Sequence, residues 1–501
     1  MTEISTKQSV FFNIKNSKTI CFINKILYSV WGIAILAILS VLTNTLSLEI
    51  PFYIIICVTT VYISIFGTDL LPLIPIFLFC YISPSTKNNP ALSTNSVFYN
   101  QTGLIIGIIL AICIPSIILR ICLDKNMGLK KLFTEKRVLL WGMIALGIAY
   151  LLSGIGSAKY LDNAVNNLVF ATLQFLSIFL LYYILTATTD WKNVNKSYFA
   201  WVAIFVGLAV SMELIHIYLT ENVIQSGSII RGKLYTGWGH YNNMGALIAM
   251  SIPFPFYLAC KNKHNYLYLL LASLLLVFLI LSCSRGSIVG GAFIYILSLI
   301  ITLCKANNKK CFRISVGVLF GIVAILCAIF NNFIIQLFEK VPSIINTSSN
   351  SLSFNDSSRF DIYKEGFNAF LKYPIFGQSF YPTDFVPYDF STLDSFSSFF
   401  PPRWHNTIIQ ILSSCGIIGI VAYLYHRLQT IKLIFKNRSL EKTFIGLSIL
   451  VLLITSLLDC HFFNIGPTLF YSTALAFAEK ISDNKTLEHQ EPKEQTLNQQ
   501  D

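Results

Sequence analysis

Charge is scarce in this chain. Asp, Glu, Lys and Arg together supply 12% of its 501 residues, against about 25% in ordinary soluble proteins. That excludes a conventional soluble globule, and with it any count of domains by length. Nucleotide-binding signatures are missing too: no P-loop interrupts the apolar runs. The loops assigned below to the cytoplasm are too short for a nucleotide domain, so any activation must arrive with the substrate. The 12 cysteines form no CxxC pair, and none falls between Gln336 and His405. A disulfide framework or a zinc site is therefore not expected, and the cysteines read as small apolar fillers. The first residues are polar with scattered Lys and lack a cleavable signal pattern, so the first apolar run is expected to be a retained span.

What is abundant is apolar sequence, at 54%. Runs near the bilayer-spanning length of about 20 residues recur along the whole chain. They lie at 22–43, 50–66, 70–83, 103–122, 138–155, 169–189, 198–219, 240–260, 266–283, 288–304, 314–335, 406–425, 443–459 and 466–480. The third carries Pro72 and Pro75 and reads as broken or re-entrant, and the last is short. The expected fold is an all-α polytopic membrane protein with about 12–14 transmembrane helices. The net charge of +12 points to cytoplasmic loops rather than to nucleic acid. With the N-terminus inside, the inner loops 123–137, 190–197, 261–265, 305–313 and 426–442 hold about 18 Lys and Arg in roughly 54 residues. The outer loops hold about 10 in roughly 138. The organisation expected is a cytoplasmic N-terminus (1–21), a helix bundle (22–335), one long extracytoplasmic loop (336–405), C-terminal spans (406–480) and a disordered cytoplasmic tail (481–501).

The long polar interval closes on Arg403-Trp404-His405-Asn406, directly before an apolar run. His405 at that junction reads as a general base near neutral pH or as a hydrogen-bonded interfacial His. Arg403 beside it would tend to keep the imidazole neutral, and Asn406 could fix a tautomer or bind a hydroxyl. Arg285, between two apolar runs, reads as a phosphate clamp, because the guanidinium fork matches phosphate oxygens, or as a snorkelling interface Arg. Arg231 sits in a short outer loop where a solvated Arg is ordinary. His240 and His461 occupy junctions like that of His405 and compete with it; Asp459 and Cys460 share the turn with His461. Glu213 and His216, three residues apart, share a helix face and read as a structural pair. The ten aromatics between Phe376 and Trp404 suit a sugar platform or an interfacial flap.

The succession Arg285-Gly286, then Arg359, Gly366, Tyr373-Pro374 and Gly377, then His405-Asn406, Gln410, Gly416-Ile417 and Gly419 resembles the O-antigen ligase and polymerase superfamily over roughly Arg231 to Tyr425. The resemblance implies a GT-C-like bacterial membrane glycosyltransferase of the cytoplasmic (inner) membrane that works without metal, cofactor or nucleotide. It implies an undecaprenyl-pyrophosphate-linked glycan as donor, and as acceptor a hydroxyl of a glycan or lipid-linked sugar, lipid A–core among them. Arg231 and Arg285 match the family's pyrophosphate-holding arginines, His405 its loop-end base, and Arg359 a recurrent family Arg. Polymerases and protein O-glycosylating members share these motifs. The competing class is a lipid-linked glycan flippase, which would be expected to show matched broken helices or midplane charges.

Overall fold

The computed structural model describes residues 17–46, 48–79, 102–123, 137–157, 160–225, 228–329, 357–381 and 403–488. In chain order the helices are α1 (Lys18–Leu27), α2 (Val30–Leu46), α3 (Glu49–Phe66), α4 (Leu73–Phe79), α5 (Thr102–Leu123), α6 (Leu140–Leu151), α7 (Ala164–Thr188) and α8 (Tyr198–Thr220). Then come α9 (Tyr241–Ser251), α10 (Pro253–Lys261), α11 (Asn265–Leu281), α12 (Arg285–Lys305), α13 (Lys309–Ile329), α14 (Ser357–Lys372), α15 (Thr407–Phe435), α16 (Leu440–Ser456) and α17 (Ile465–Glu488). Each apolar run read from the sequence carries a helix. The chain is thus an all-α polytopic membrane protein. Five of its segments are each long and apolar enough to cross a bilayer: α7, α8, the α9–α10 segment, α12 and α15. The α1–α2 pair passes the same test but is bent by 69°. Strand structure among the described residues is limited to two antiparallel hairpins between α8 and α9. They are β1 (Ile224–Gln225) with β2 (Ser228–Ile229), and β3 (Tyr235–Thr236) with β4 (Gly239–His240).

The α9–α10 segment is the axis of the bundle: 94% of its apolar window is buried. From Met244 to Cys260 its sequence is apolar on every side but for Ser251, as befits a helix surrounded by helices. Near its N-terminal end Gly245 admits close approach, since a Cβ there would lie 2.7 Å from Ser284 Cβ and 2.9 Å from Ser287 Cβ. α7 and α17 pack along each other through polar contacts that lipid cannot supply. Gln174 Nε2 donates to the Phe463 carbonyl at 2.8 Å, Ser177 Oγ to Thr468 Oγ1 at 3.1 Å, and Ser472 Oγ to the Ile178 carbonyl at 2.7 Å.

α15 is not one continuous helix. Gly416 has φ +65 and ψ −154, which splits it into two arms. The segment after α14 fills the break. Pro374 O accepts from Ile417 N at 2.8 Å, while Gln378 N donates to Ser413 O at 2.7 Å. Gly377 also lies at positive φ, and a Cβ there would sit 2.3 Å from the Ser414 carbonyl carbon. Both glycines are thus required by close backbone approach as well as by conformation. From the other side, Gly154 N donates to Phe376 O at 2.8 Å and Asn167 Oδ1 accepts from Phe380 N at 3.0 Å. Backbone groups freed by the break are satisfied inside protein, the condition for irregular backbone at membrane depth.

The stretch expected as a loop over 336–405 contains the helix α14. Tyr363, Gly366 and Phe370 recur on one side of it; Gly366 is buried, and a Cβ there would lie 2.5 Å from Ile409 Cγ2 and 3.0 Å from Trp404 Cδ2. The aromatic run beyond Tyr381 falls outside the described residues until Arg403. α17 continues to Glu488, past the expected start of a tail at Ile481. Lys, Leu and Glu there are good helix formers.

Candidate functional site

The 403–407 junction is built to present one side chain. Asn406 caps α15, its Oδ1 accepting from Ile408 N at 2.9 Å and Ile409 N at 3.1 Å. Its Nδ2 donates to Leu457 O at 2.9 Å. The amide is therefore engaged at both ends by backbone, as an Asn directly before a helix is the preferred cap. His405 has φ +49, a left-handed conformation that costs a side-chain-bearing residue about 1–2 kcal/mol. Its neighbours hold it there. Its carbonyl accepts from Tyr363 OH of α14 at 3.1 Å, and the preceding residue is fixed by Trp404 N donating to Gln410 Oε1 at 3.0 Å.

The aimed imidazole meets Asp459, in the turn after α16. His405 Nδ1 lies 3.4 Å from Asp459 Oδ1. The same oxygen accepts from Cys460 N at 2.7 Å, and Oδ2 accepts from Asn242 Nδ2 at 2.6 Å. Asn242 Oδ1 in turn accepts from Ser284 Oγ at 3.0 Å, and Ser284 Oγ lies 2.9 Å from Ser287 Oγ. Ser284 is the residue before Arg285, which opens α12 and is exposed. Three contacts thus connect His405 to the turn that carries Arg285, drawing on α9, α12, α15 and the 457–464 turn. A second amide pair, Asn464 Nδ2 to Asn243 Oδ1, ties that turn to α9 again.

Charge at this node is unbalanced by design of its neighbours. Burial alone would raise the Asp459 carboxyl. The close approach of His405, with the positive charge of His461, His405 and Arg403, outweighs burial and holds it well below the usual carboxylate range. Burial drives His240 down to about 4, with Arg403, His405 and His461 adding to the effect and Asp459 opposing it. His461 is also lowered by burial. Cys460 is pushed up to about 12, by burial first and then by Asp459. Arg403 enters each of these shifts, so its charge faces the same cluster.

The remaining expected residues stand as follows. His240 caps α9, its Nδ1 accepting weakly from Asn242 N at 3.4 Å, with its ring 3.6 Å from that of Tyr241. Arg231 opens the 3₁₀ turn Arg231–Lys233. Among the described residues it makes no hydrogen bond or ion pair with the Asp459 network. Arg359 lies in the first turn of α14, and its side chain falls outside the described residues. Glu213 does not pair with His216. Its oxygens accept from Asn44 Nδ2 at 2.6 Å, Gly237 N at 3.0 Å and Trp238 Nε1 at 3.1 Å, clamping the loop that carries Arg231 and His240. Asp459, Asn242 and Ser284 are the functional candidates that sequence reasoning passed over. Each stretch was visible as an outer turn; the bonds between them were not. Among the described residues no group of three or more His, Cys, Asp or Glu is placed to hold a metal ion.

An acceptor-only carboxylate fixed by two hydrogen bonds and aimed at one imidazole nitrogen leaves the other nitrogen available to take a proton. Residues 270–424, which include α12, α14 and the start of α15, match the family described as O-antigen ligase. Over 359 residues, 71% of this chain and 80% of the relative, the sequence is 24% identical to the O-antigen ligase of Escherichia coli (strain K12). The matched domain and the length of the likeness show that this chain, an all-α membrane protein, is similar to the O-antigen ligases.

Proposed function

We propose that the protein is a membrane glycosyltransferase that moves a glycan from undecaprenyl pyrophosphate to a sugar hydroxyl, on lipid A–core or a similar acceptor, at the outer face of the bacterial inner membrane. Asp459 accepts from His405 Nδ1–H and holds the imidazole in the tautomer whose Nε2 lone pair faces substrate. Nε2 takes the proton of the acceptor hydroxyl as its oxygen attacks the anomeric carbon. The bond from that carbon to the pyrophosphate oxygen breaks, and the electron pair leaves with undecaprenyl pyrophosphate. Arg285 and Arg231 bind the leaving phosphates, where developing charge needs fixed cations. Arg403 raises the positive potential of the same face. Arg359 is assigned to donor binding on the resemblance alone.

The observation that carries this reading is the contact between His405 and Asp459, of which His405 lies within the residues that match the family model. The test is a transfer assay with purified protein, lipid-linked glycan and candidate acceptors, donor binding being measured separately. His405→Ala and His405→Gln should bind donor and fail at transfer. Wild-type transfer by His405→Gln would remove the base from this account.

A further inference from the structure

A second charged cluster lies inside the bundle, away from the residues just described. Arg427 of α15 is 7% exposed and, among the described residues, has no acidic partner. Its Nη1 donates to Tyr471 OH at 2.8 Å, and its guanidinium lies over the rings of Phe462 (4.1 Å), Tyr423 (4.6 Å) and Tyr471 (5.0 Å). Aromatic faces attract the cation, but they accept nothing from its edge. The Tyr423 hydroxyl lies near the guanidinium, but among the described residues Nε and Nη2 have no acceptor in hydrogen-bond geometry.

The hydrogens around Tyr471 can be assigned. Thr430 Oγ1 gives its proton to the His426 carbonyl at 2.9 Å, so it offers Tyr471 none. The Tyr471 oxygen accepts from Arg427 and has one proton to give. The nearer recipient is His426 Nε2 at 3.0 Å, against Thr430 Oγ1 at 3.2 Å. That places the His426 proton on Nδ1, which also has no partner. A further hydroxyl, that of Tyr150 on α6, is buried without a partner among the described residues, beside Phe463, the neighbour of Phe462. The cluster therefore presents unpaired donors, carries one fixed positive charge and contains no carboxylate. A buried guanidinium in such surroundings needs a counter-charge.

We propose that Arg427, His426 and Tyr471 bind a small monovalent inorganic anion of the halide class. The size follows from enclosure: His426, Tyr471, Phe462 and Tyr150 are all 0% exposed. A lipid phosphate with its chains attached has no way to the guanidinium edge. The site stands apart from the proposed transfer chemistry, and either can fail without the other.

The test uses full-length purified protein in detergent. Thermal unfolding is followed while chloride or bromide replaces gluconate at constant ionic strength. A ligand that binds only the folded state raises the midpoint with the logarithm of its concentration, here by about 2 °C per tenfold above saturation. The expected result is such a rise in the wild type and none in Arg427→Met, with Arg427→Lys reduced because the ammonium lacks the planar edge. No halide dependence in the wild type, or the same dependence in Arg427→Met, overturns the site. Should Arg427→Met fail to fold, bromide anomalous scattering from wild-type crystals decides. One bromide beside Arg427 supports the proposal; a water there, or bromide only elsewhere, overturns it.

Discussion

Asn242 and Asp459 are joined by a 2.6 Å hydrogen bond although 217 positions separate them in sequence. Nδ2 of the amide donates to one carboxylate oxygen, and its Oδ1 is held by Ser284. Asn242→Asp would replace a donor by a second carboxylate against Asp459. Like charges so close cannot both ionise freely, and the fixed donor is lost at about 1–3 kcal/mol. Asn242→Asp is expected to lower transfer at least as far as Asn242→Ala, with normal membrane insertion. Full transfer by Asn242→Asp would show that the carboxylate is not held for catalysis.

Asp459→Asn keeps shape and removes charge. The His405 tautomer is then no longer dictated, an effect that in hydrolytic triads costs up to about 10⁴-fold. Transfer should fall about 10²- to 10⁴-fold while donor binding persists. A matching loss of donor binding would reassign Asp459 to the binding of substrate.

Arg285 can be tested by charge and by shape. Loss of a charged hydrogen bond to the leaving group is expected to raise the barrier by about 2–4 kcal/mol, roughly 30- to 1000-fold in rate. Arg285→Lys should approach Arg285→Ala, since an ammonium lacks the fork. Turnover near normal in Arg285→Ala at normal expression would exclude the clamp.

Acid should loosen the site in a defined window. His240 sits at about 4 in the fold, below the unfolded value of about 6.5. Between those values the unfolded chain binds a proton that the folded chain refuses, so stability declines as pH falls from about 6.5 towards 4. Asp459 adds a later loss: its depressed carboxyl stabilises above the unfolded value, about 3.9, and that contribution goes as pH falls further. His240→Asn retains a helix cap but cannot titrate. Thermal midpoints across pH should show a shallower slope in this variant, the lowered His461 supplying the remainder. A midpoint that rises on acidification would contradict both assignments.

Orientation is open to a labelling test. Lys364 is exposed on α14, and Asn307 is exposed between α12 and α13. In a cysteine-cleared background, an impermeant thiol reagent should reach Lys364→Cys in cells with an intact inner membrane. It should reach Asn307→Cys only after that membrane is opened. The reverse pattern would invert the topology.

The bundle was legible because a bilayer demands apolar runs of fixed length, and such runs can be read one at a time. His405 and Arg285 were legible by type and position, each at the edge of a run. The node that joins them was not, because Asp459, Asn242 and Ser284 lie on three distant segments and only tertiary packing brings them together. Two local signals were there to be used. Asn406 before an apolar run is a helix cap, and Tyr363, Gly366 and Phe370 follow the spacing of a buried helix face. Glu213 shows the reverse case: spacing suggested His216, but three donors from elsewhere satisfy the carboxylate first.

The insert at the Gly416 break also bears on how the chain is made. Residues 374–380 are gripped on one side by Gly154 and Asn167, synthesised long before them, and on the other by Ser413 to Ile417, synthesised after. The contacts to Gly154 and Asn167 can form first, but the half of the joint that fills the break cannot close while the ribosome is still short of Ile417. A nascent chain halted before that point leaves Gln378 N and Pro374 O without the partners they have in the finished fold. The joint is completed only when the second arm of α15 leaves the translocon and meets a partner already waiting in the bilayer.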